Sequence, residues 1–217
     1  MPVVMALPVP AVAPVMTLDK AFPKRSETAI ILGNGPTVLE TLQDAVKLQK
    51  EKNAVVFGVN RVYMLPKDVI PFHYFCAVDN SLWEQFSKEI LGMKCLAYFI
   101  REKYYAPLYN LYARVNFQSF QVAQGPREFA QNIGDRIAHG FTSVYPCMQF
   151  AYIQGAKEVH LYGVDYKKRE DGQTHFWGTT SRTAKGWAEG RKTILLGIEK
   201  LRALGCKVEI HSRLFEL

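Results

Sequence analysis

Four short stretches of this chain carry residue types able to hold a phosphorylated ligand and to move a proton. The first is Gly33-Asn34-Gly35-Pro36-Thr37. Glycines let a backbone approach a ligand closely, and a helix starting just after them directs unpaired N–H groups and a partial positive charge outward. That chemistry suits a phosphate or a nucleotide ribose. The spacing is neither a Walker loop nor a Gly-x-Gly-x-x-Gly fingerprint, because Val38 stands at the third glycine position. A tight turn without a ligand explains it equally well. The second is Asn60, whose amide offers donor and acceptor together, as a base edge or sugar hydroxyl requires; a cap or turn is the plain alternative. The third is Thr142-Ser143, where a helix begins and its first amides could hold an anion, or where the hydroxyls simply cap.

The fourth stretch is Gly163-Val164-Asp165-Tyr166-Lys167, leading to Thr174-His175-Phe176-Trp177-Gly178. A histidine in a polar, glycine-flanked loop near cations is placed for proton transfer or phosphate contact, which makes His175 the candidate base. Charge on a leaving phosphate would be met by Lys167, Lys168 or Arg169, by Tyr166 and by helix amides. His73, His139 and His160 have no comparable setting, and His160 reads as a structural residue within a strand. No histidine and carboxylate pair shows metal-ligand spacing and there is no Asp-x-Asp, so no metal site is expected.

These stretches need elements to position them, and the pattern after Ser26 alternates strand and helix. Thr28 to Leu32 is a continuous apolar run that stops at glycine, as a buried parallel strand does. Thr37 to Lys52 has helical spacing, with Pro36 tolerated at its first turn. Strands follow at 54–59, 72–78 and 94–99, with a helix from Leu82 to Leu91 capped by Asp79-Asn80-Ser81. Residues 101–137 read least clearly: Tyr104 to Tyr112 suggests a helix, a lid or a self-association segment, and Arg114 to Val122 an irregular strand. A helix then runs from Thr142 to Gln154, a strand from Glu158 to Tyr162, a helix from Thr183 to Leu204 and a last strand from Lys207 to Ile210. Strands separated by helix-length segments predict one α/β domain over 27–217: a Rossmann-like, doubly wound, mostly parallel sheet with helices on both faces, a variant of the GT-A type.

Composition fits that domain. The chain has 217 residues, 48% of them hydrophobic, enough for one full core. Its net charge of +7 favours an anionic partner, although no arginine-rich arm or zinc-finger spacing makes nucleic acid the primary one. The four cysteines share no short spacing and sit in apolar contexts, as reduced core residues of a cytoplasmic protein do. No apolar run is long enough to span a membrane. Met1 to Met16 is rich in Pro, Val and Ala and lacks a basic start, and residues 1–26 read as an irregular arm that packs on a neighbouring subunit of a homo-oligomer.

In this order the loops become familiar. The Gly33-Asn34-Gly35-Pro36-Thr37 loop and Val59-Asn60-Arg61-Val62-Tyr63 resemble the opening of bacterial sialyltransferases of glycosyltransferase family 42, where such segments hold a cytidine monophosphate donor. Phe141-Thr142-Ser143, then Gly155 through Tyr166, resembles that family's later block, and Thr174-His175-Phe176 its general-base element. Lys167 stands where that family has a phosphate-binding tyrosine. The scaffold also resembles the 6-hydroxymethylpterin diphosphokinase-like proteins, which have relatives in phages and bacteria; their Gly-x-Gly-Pro-Ser loop and Gly-x-Asp-Tyr block match Gly33 to Thr37 and Gly163 to Tyr166.

Three functions follow as expectations. The first is metal-independent transfer from a nucleotide-activated donor, such as a nucleotide sugar, to a hydroxyl. His175 would be the base and Lys167 with Tyr166 would steady the departing phosphate. Gly33, Asn34, Gly35, Pro36, Asn60, Thr142, Ser143, Gly163 and Asp165 would hold the nucleotide, with no cofactor required. The second is pyrophosphoryl transfer to a pterin-like alcohol, which needs Mg²⁺ and has Asp79, Asp165 and Asp171 as candidate ligands. The third is non-catalytic nucleotide binding or docking to nucleic acid, supported by the charge.

Overall fold

The computed structural model describes residues 16–66, 68–103, 115–123, 125–180, 184–213 and 215. Seven strands form one sheet: β1 (Thr28–Leu32), β2 (Val55–Val59), β3 (Tyr74–Cys76), β4 (Ala97–Arg101), β5 (Phe117–Phe120), β6 (Glu158–Tyr162) and β7 (Lys207–Ile210). Their order is β5-β4-β3-β2-β1-β6-β7, and every neighbouring pair is parallel. The chain steps outward from β1 to β5, then returns to lay β6 on the other side of β1. That reversal creates a crevice beyond the carboxyl ends of β1 and β6, where open α/β sheets bind ligands.

Five helices with described bounds accompany the strands: α1 (Leu18–Ala21), α2 (Val38–Lys52), α3 (Asn80–Gly92), α4 (Val144–Ile153) and α5 (Ala184–Ala203). The alternating side chains of the buried strands sort into two cores. Ile30, Leu32, Val56, Phe75, Tyr98 and Tyr162 face Val38, Leu42, Leu82 and Trp83 of α2 and α3. Ala29, Ile31, Phe57, Tyr74, Phe99 and Leu161 face Cys147, Phe150, Ile194 and Ile198 of α4 and α5. Strands covered on both faces read as continuous apolar runs, which is why β1 and β2 stood out.

Besides shorter β3 and β5 than expected, three details differ from the sequence expectations. β4 starts at Ala97, because Lys94 takes the left-handed conformation (φ 55) that ends α3, and Leu96 N–H already bonds the His73 carbonyl. Within the stretch read as an irregular arm, α1 makes one helical turn and Phe22 inserts into the chain's own core, its ring 5.3 Å from Phe99 and 5.5 Å from Tyr74. Asn60 to Met64 form a 3-10 turn directly after β2. The helix expected over Tyr104 to Tyr112 lies outside the described residues. Among the described residues all four cysteines are free, three of them buried, and no helix is long and apolar enough to cross a membrane.

Candidate active site

The glycine loop after β1 and the loop after β6 are locked together. Gly33 N–H donates to the Tyr162 carbonyl at 2.7 Å and Gly35 N–H to the Gly163 carbonyl at 2.6 Å. Thr37, at the start of α2, donates its N–H and its hydroxyl to the Asp165 carboxylate at 2.9 and 2.6 Å. A Cβ at Gly35 would fall 2.2 Å from Asp165 Oδ2, and one at Gly33 2.4 Å from the Gly163 carbonyl oxygen. These glycines therefore permit close approach of two protein loops, not of a phosphate to backbone. The amides of Gly33, Gly35, Thr37 and Val38 are all satisfied internally. The anion expected at the start of α2 is the buried carboxylate of Asp165.

The asparagines extend the belt across the strand ends. Asn34 donates Nδ2–H to the Val59 carbonyl at 2.8 Å and accepts from Arg61 N–H at 3.1 Å. This clamp on both neighbours of Asn60 holds that residue at φ 51, a conformation asparagine tolerates better than most. Ser143 donates its hydroxyl to Asn60 Oδ1 at 2.8 Å and accepts from Val78 N–H at 3.2 Å. Thr142 Oγ1 accepts from Val144 N–H at 3.2 Å, at the start of α4.

Above this belt lie two adjoining hollows. The smaller, about 80 Å³, is lined by Asn34, Gly35, Asn60, Gly163, Asp165, Tyr166 and His175 among others. The larger, about 500 Å³, is bounded by Asn34, Asn60, Arg61, Asp79, Arg101, His139, Phe141, Ser143, His175 and Trp177 among others. Asn34, Asn60, Thr142 and His175 line both. Four loops distant in sequence thus converge on one rim. Gly33 and Pro36 lie buried beneath it, and Lys167 is exposed and lines neither hollow. Arg169, beside Lys167 in sequence, pairs with Glu40 at 3.1 Å.

His175 is held on two sides. Its Nδ1 is 2.9 Å from Thr174 Oγ1, and its ring stacks on Trp177 with centroids 4.5 Å apart. The cations on the cleft are arginines. The Arg61 guanidinium lies 4.5 Å over the Phe86 ring and 5.7 Å from Trp177, an arrangement that keeps a planar cation oriented and weakly hydrated. Arg101 ends β4 beside His139, whose pKa is lowered first by burial and then by the Arg101 charge. Phe141, 64% exposed at φ 65, stands on the lip. Neither arginine was singled out from sequence; the available signal was position, since each sits at the carboxyl end of a strand.

A parallel sheet with a ligand-sized cleft beyond the carboxyl ends of its strands defines a Rossmann-like α/β domain. The model of the family described as 6-hydroxymethylpterin diphosphokinase MptE-like matches residues 8–171, and the chain belongs to that family. The match spans β1 to β6 and the whole loop belt, and ends just before Thr174 and His175. No curated protein matches the chain. Of the two family resemblances read from the sequence, the comparisons show the diphosphokinase-like one and not glycosyltransferase family 42.

Proposed function

We propose that this protein transfers a diphosphoryl group from a nucleoside triphosphate to the hydroxyl of a planar heteroaromatic alcohol of the pterin type. The observation that carries the reading is the larger cleft, where two arginines and three aromatic rings surround a polar belt over the carboxyl ends of the strands of a diphosphokinase-like family member. Arg61 and Arg101 supply the positive charge a triphosphate requires, and Phe86, Phe141 and Trp177 supply ring faces. Asn60 Nδ2, which has no hydrogen bond among the described residues, is a donor for the ribose or base.

The chemistry is a displacement at the β-phosphorus. The acceptor hydroxyl oxygen forms a bond to that phosphorus while the bond from it to the α–β bridging oxygen breaks. A nucleoside monophosphate leaves with the electron pair, and the product is a diphosphate ester. His175, on the border of both hollows, takes the hydroxyl proton; Thr174 and Trp177 fix its ring for that transfer. Arg61 and Arg101 steady the charge on the transferring group. The site also fits one Mg²⁺. Among the described lining residues of the larger cleft Asp79 is the one carboxylate, and only its Oδ1 is engaged, by Ser81. A bound Mg²⁺ would screen the phosphates, which ordinarily requires one or two protein carboxylates. Asp165 is committed to Thr37, and Asp171 lies outside the cleft with Arg169 at 3.6 Å.

The test is a His175→Ala protein assayed with ATP, Mg²⁺ and a hydroxymethyl-dihydropterin. Turnover should fall at least about 100-fold while the Kd for ATP stays within about twofold. An unchanged rate removes His175 from the reaction. Turnover of a nucleotide sugar in the presence of a chelator would replace the reading with glycosyl transfer.

A further inference from the structure

A second cluster of chemically capable side chains sits on the sheet away from this cleft, across β6 and β7. His160 on β6 faces Glu209 on β7 in the parallel register, and His211 follows one step beyond β7. His160 Nδ1 lies 3.0 Å from His211 Nε2 and 3.5 Å from Glu209 Oε2, and His211 Nε2 lies 3.6 Å from the same carboxylate oxygen. We infer that these three atoms form a binding site for one divalent transition-metal ion of the zinc class, independent of the proposed transfer reaction.

Geometry is the first argument. A tetrahedral ion with bonds of about 2.0–2.1 Å to nitrogen and oxygen sets its ligand atoms about 3.3–3.4 Å apart. The observed triangle has edges of 3.0, 3.5 and 3.6 Å, so an ion can enter with shifts of a few tenths of an ångström, leaving a fourth position to solvent. Orientation is the second. Ligation through Nδ1 requires the proton of His160 on Nε2, and that nitrogen is buried without a formed hydrogen bond, with the Glu158 carboxylate 3.6 Å away. A carboxylate behind the far nitrogen is the usual means of setting a ligating histidine's tautomer. The Tyr162 ring lies flat against His211, 4.2 Å between centroids and 4° between planes, which fixes that imidazole too.

Charge and access agree. Lys207 engages the other oxygen of Glu209, and Lys52 reaches Glu158 at 3.5 Å, so neither lysine blocks the triangle. His160 is 5% exposed at its side chain, while His211 and Glu209, at 30% and 37%, open the site to entry. The consequence reaches the loop belt: Ser212, next to His211, accepts from Val164 N–H at 2.6 Å, one residue from Asp165. A bound ion would brace that loop through β7.

The experiment titrates chelator-treated protein with Zn²⁺ and with Co²⁺ in the absence of nucleotide. Wild type should bind one Zn²⁺, rise in Tm on binding, and give the intense visible Co²⁺ spectrum of a tetrahedral nitrogen and oxygen site. His211→Ala and Glu209→Gln, both at partly exposed positions, should each weaken Zn²⁺ at least about 100-fold and lose the Tm rise, and Arg61→Ala should change neither. Equal Zn²⁺ affinity in wild type and both variants would overturn the site. So would the absence of binding at millimolar Zn²⁺, or a Co²⁺–thiolate charge-transfer band pointing to cysteine.

Discussion

The floor and the wall of the cleft are built on opposite principles. In the floor, Thr37 and Asp165 bond each other, while Gly33, Gly35 and Asn34 spend polar groups on the backbone of Tyr162, Gly163, Val59 and Arg61. In the wall, Arg61, Asp79, Arg101, His175 and Trp177 come from different strand ends and loops and border open space. The motif that looks most like a ligand loop is thus the hinge-pin of the scaffold, and the groups suited to charge and ring recognition surround it. Buried, mutually satisfied polar networks specify a unique arrangement, and breaking one partner is expensive.

The largest effect should come from the floor. Gly35→Ala drives a methyl into Asp165 and the Gly163 carbonyl, neither of which can retreat without losing a hydrogen bond. Denaturant unfolding should show a loss of about 3 kcal/mol or more. A loss under about 1 kcal/mol would mean the loops are not locked.

Acid should weaken the fold at a place remote from both regions. His73, buried just before β3 with Nδ1 accepting from Val56 N–H, has its pKa lowered to about 4, by burial first and the Lys24 charge second. The folded state resists a proton that the unfolded chain accepts near pH 6.5. Stability is therefore fully present above pH 6.5 and falls as pH drops toward 4, by up to about 3 kcal/mol from this residue. His139, in the wall, is shifted the same way. Melting temperatures of His73→Gln from pH 7 to 4 should show a flatter acid limb than wild type.

In the wall the effects should fall on binding, not folding. Arg61→Ala removes the stacked guanidinium from the partly open cleft and should weaken ATP about 30-fold, about 2 kcal/mol, with Tm within about two degrees. Trp177→Ala should be the mildest, weakening ATP about fivefold and lowering turnover further by freeing His175. If Arg61→Ala unfolds the protein while ATP affinity is kept, the roles of floor and wall are reversed.

Legibility in the sequence followed the same divide. β1, β6 and β7 were readable to the residue because their surroundings leave little choice of boundary: β1 ends at Gly33, β6 lies between Gly155 and Gly163, and β7 between Gly205 and His211-Ser212. The convergence of Asn34, Asn60, Ser143 and His175 was also legible, since all follow strands or start helices in a doubly wound pattern. Their bonding was not. Thr37 and Asp165 are 128 positions apart, and no local spacing says that one satisfies the other. Arg61 and Arg101 were missed for a related reason: a lone arginine after a strand looks like any surface cation until Phe86 or His139 is placed beside it. Lys167 drew attention through its cationic neighbours, yet its loop carries it outward. His160 on β6 and His211 just past β7 lie 51 positions apart, a spacing outside any metal-motif pattern.

The most direct test of the proposed chemistry is phosphorus NMR of wild-type protein with ATP, Mg²⁺ and a hydroxymethyl-dihydropterin. Transfer from the β-phosphorus predicts AMP and a diphosphate ester forming in equal amounts, with no ADP. ADP with a monophosphate ester, or ATP left intact while the protein remains folded and nucleotide-bound, would contradict it.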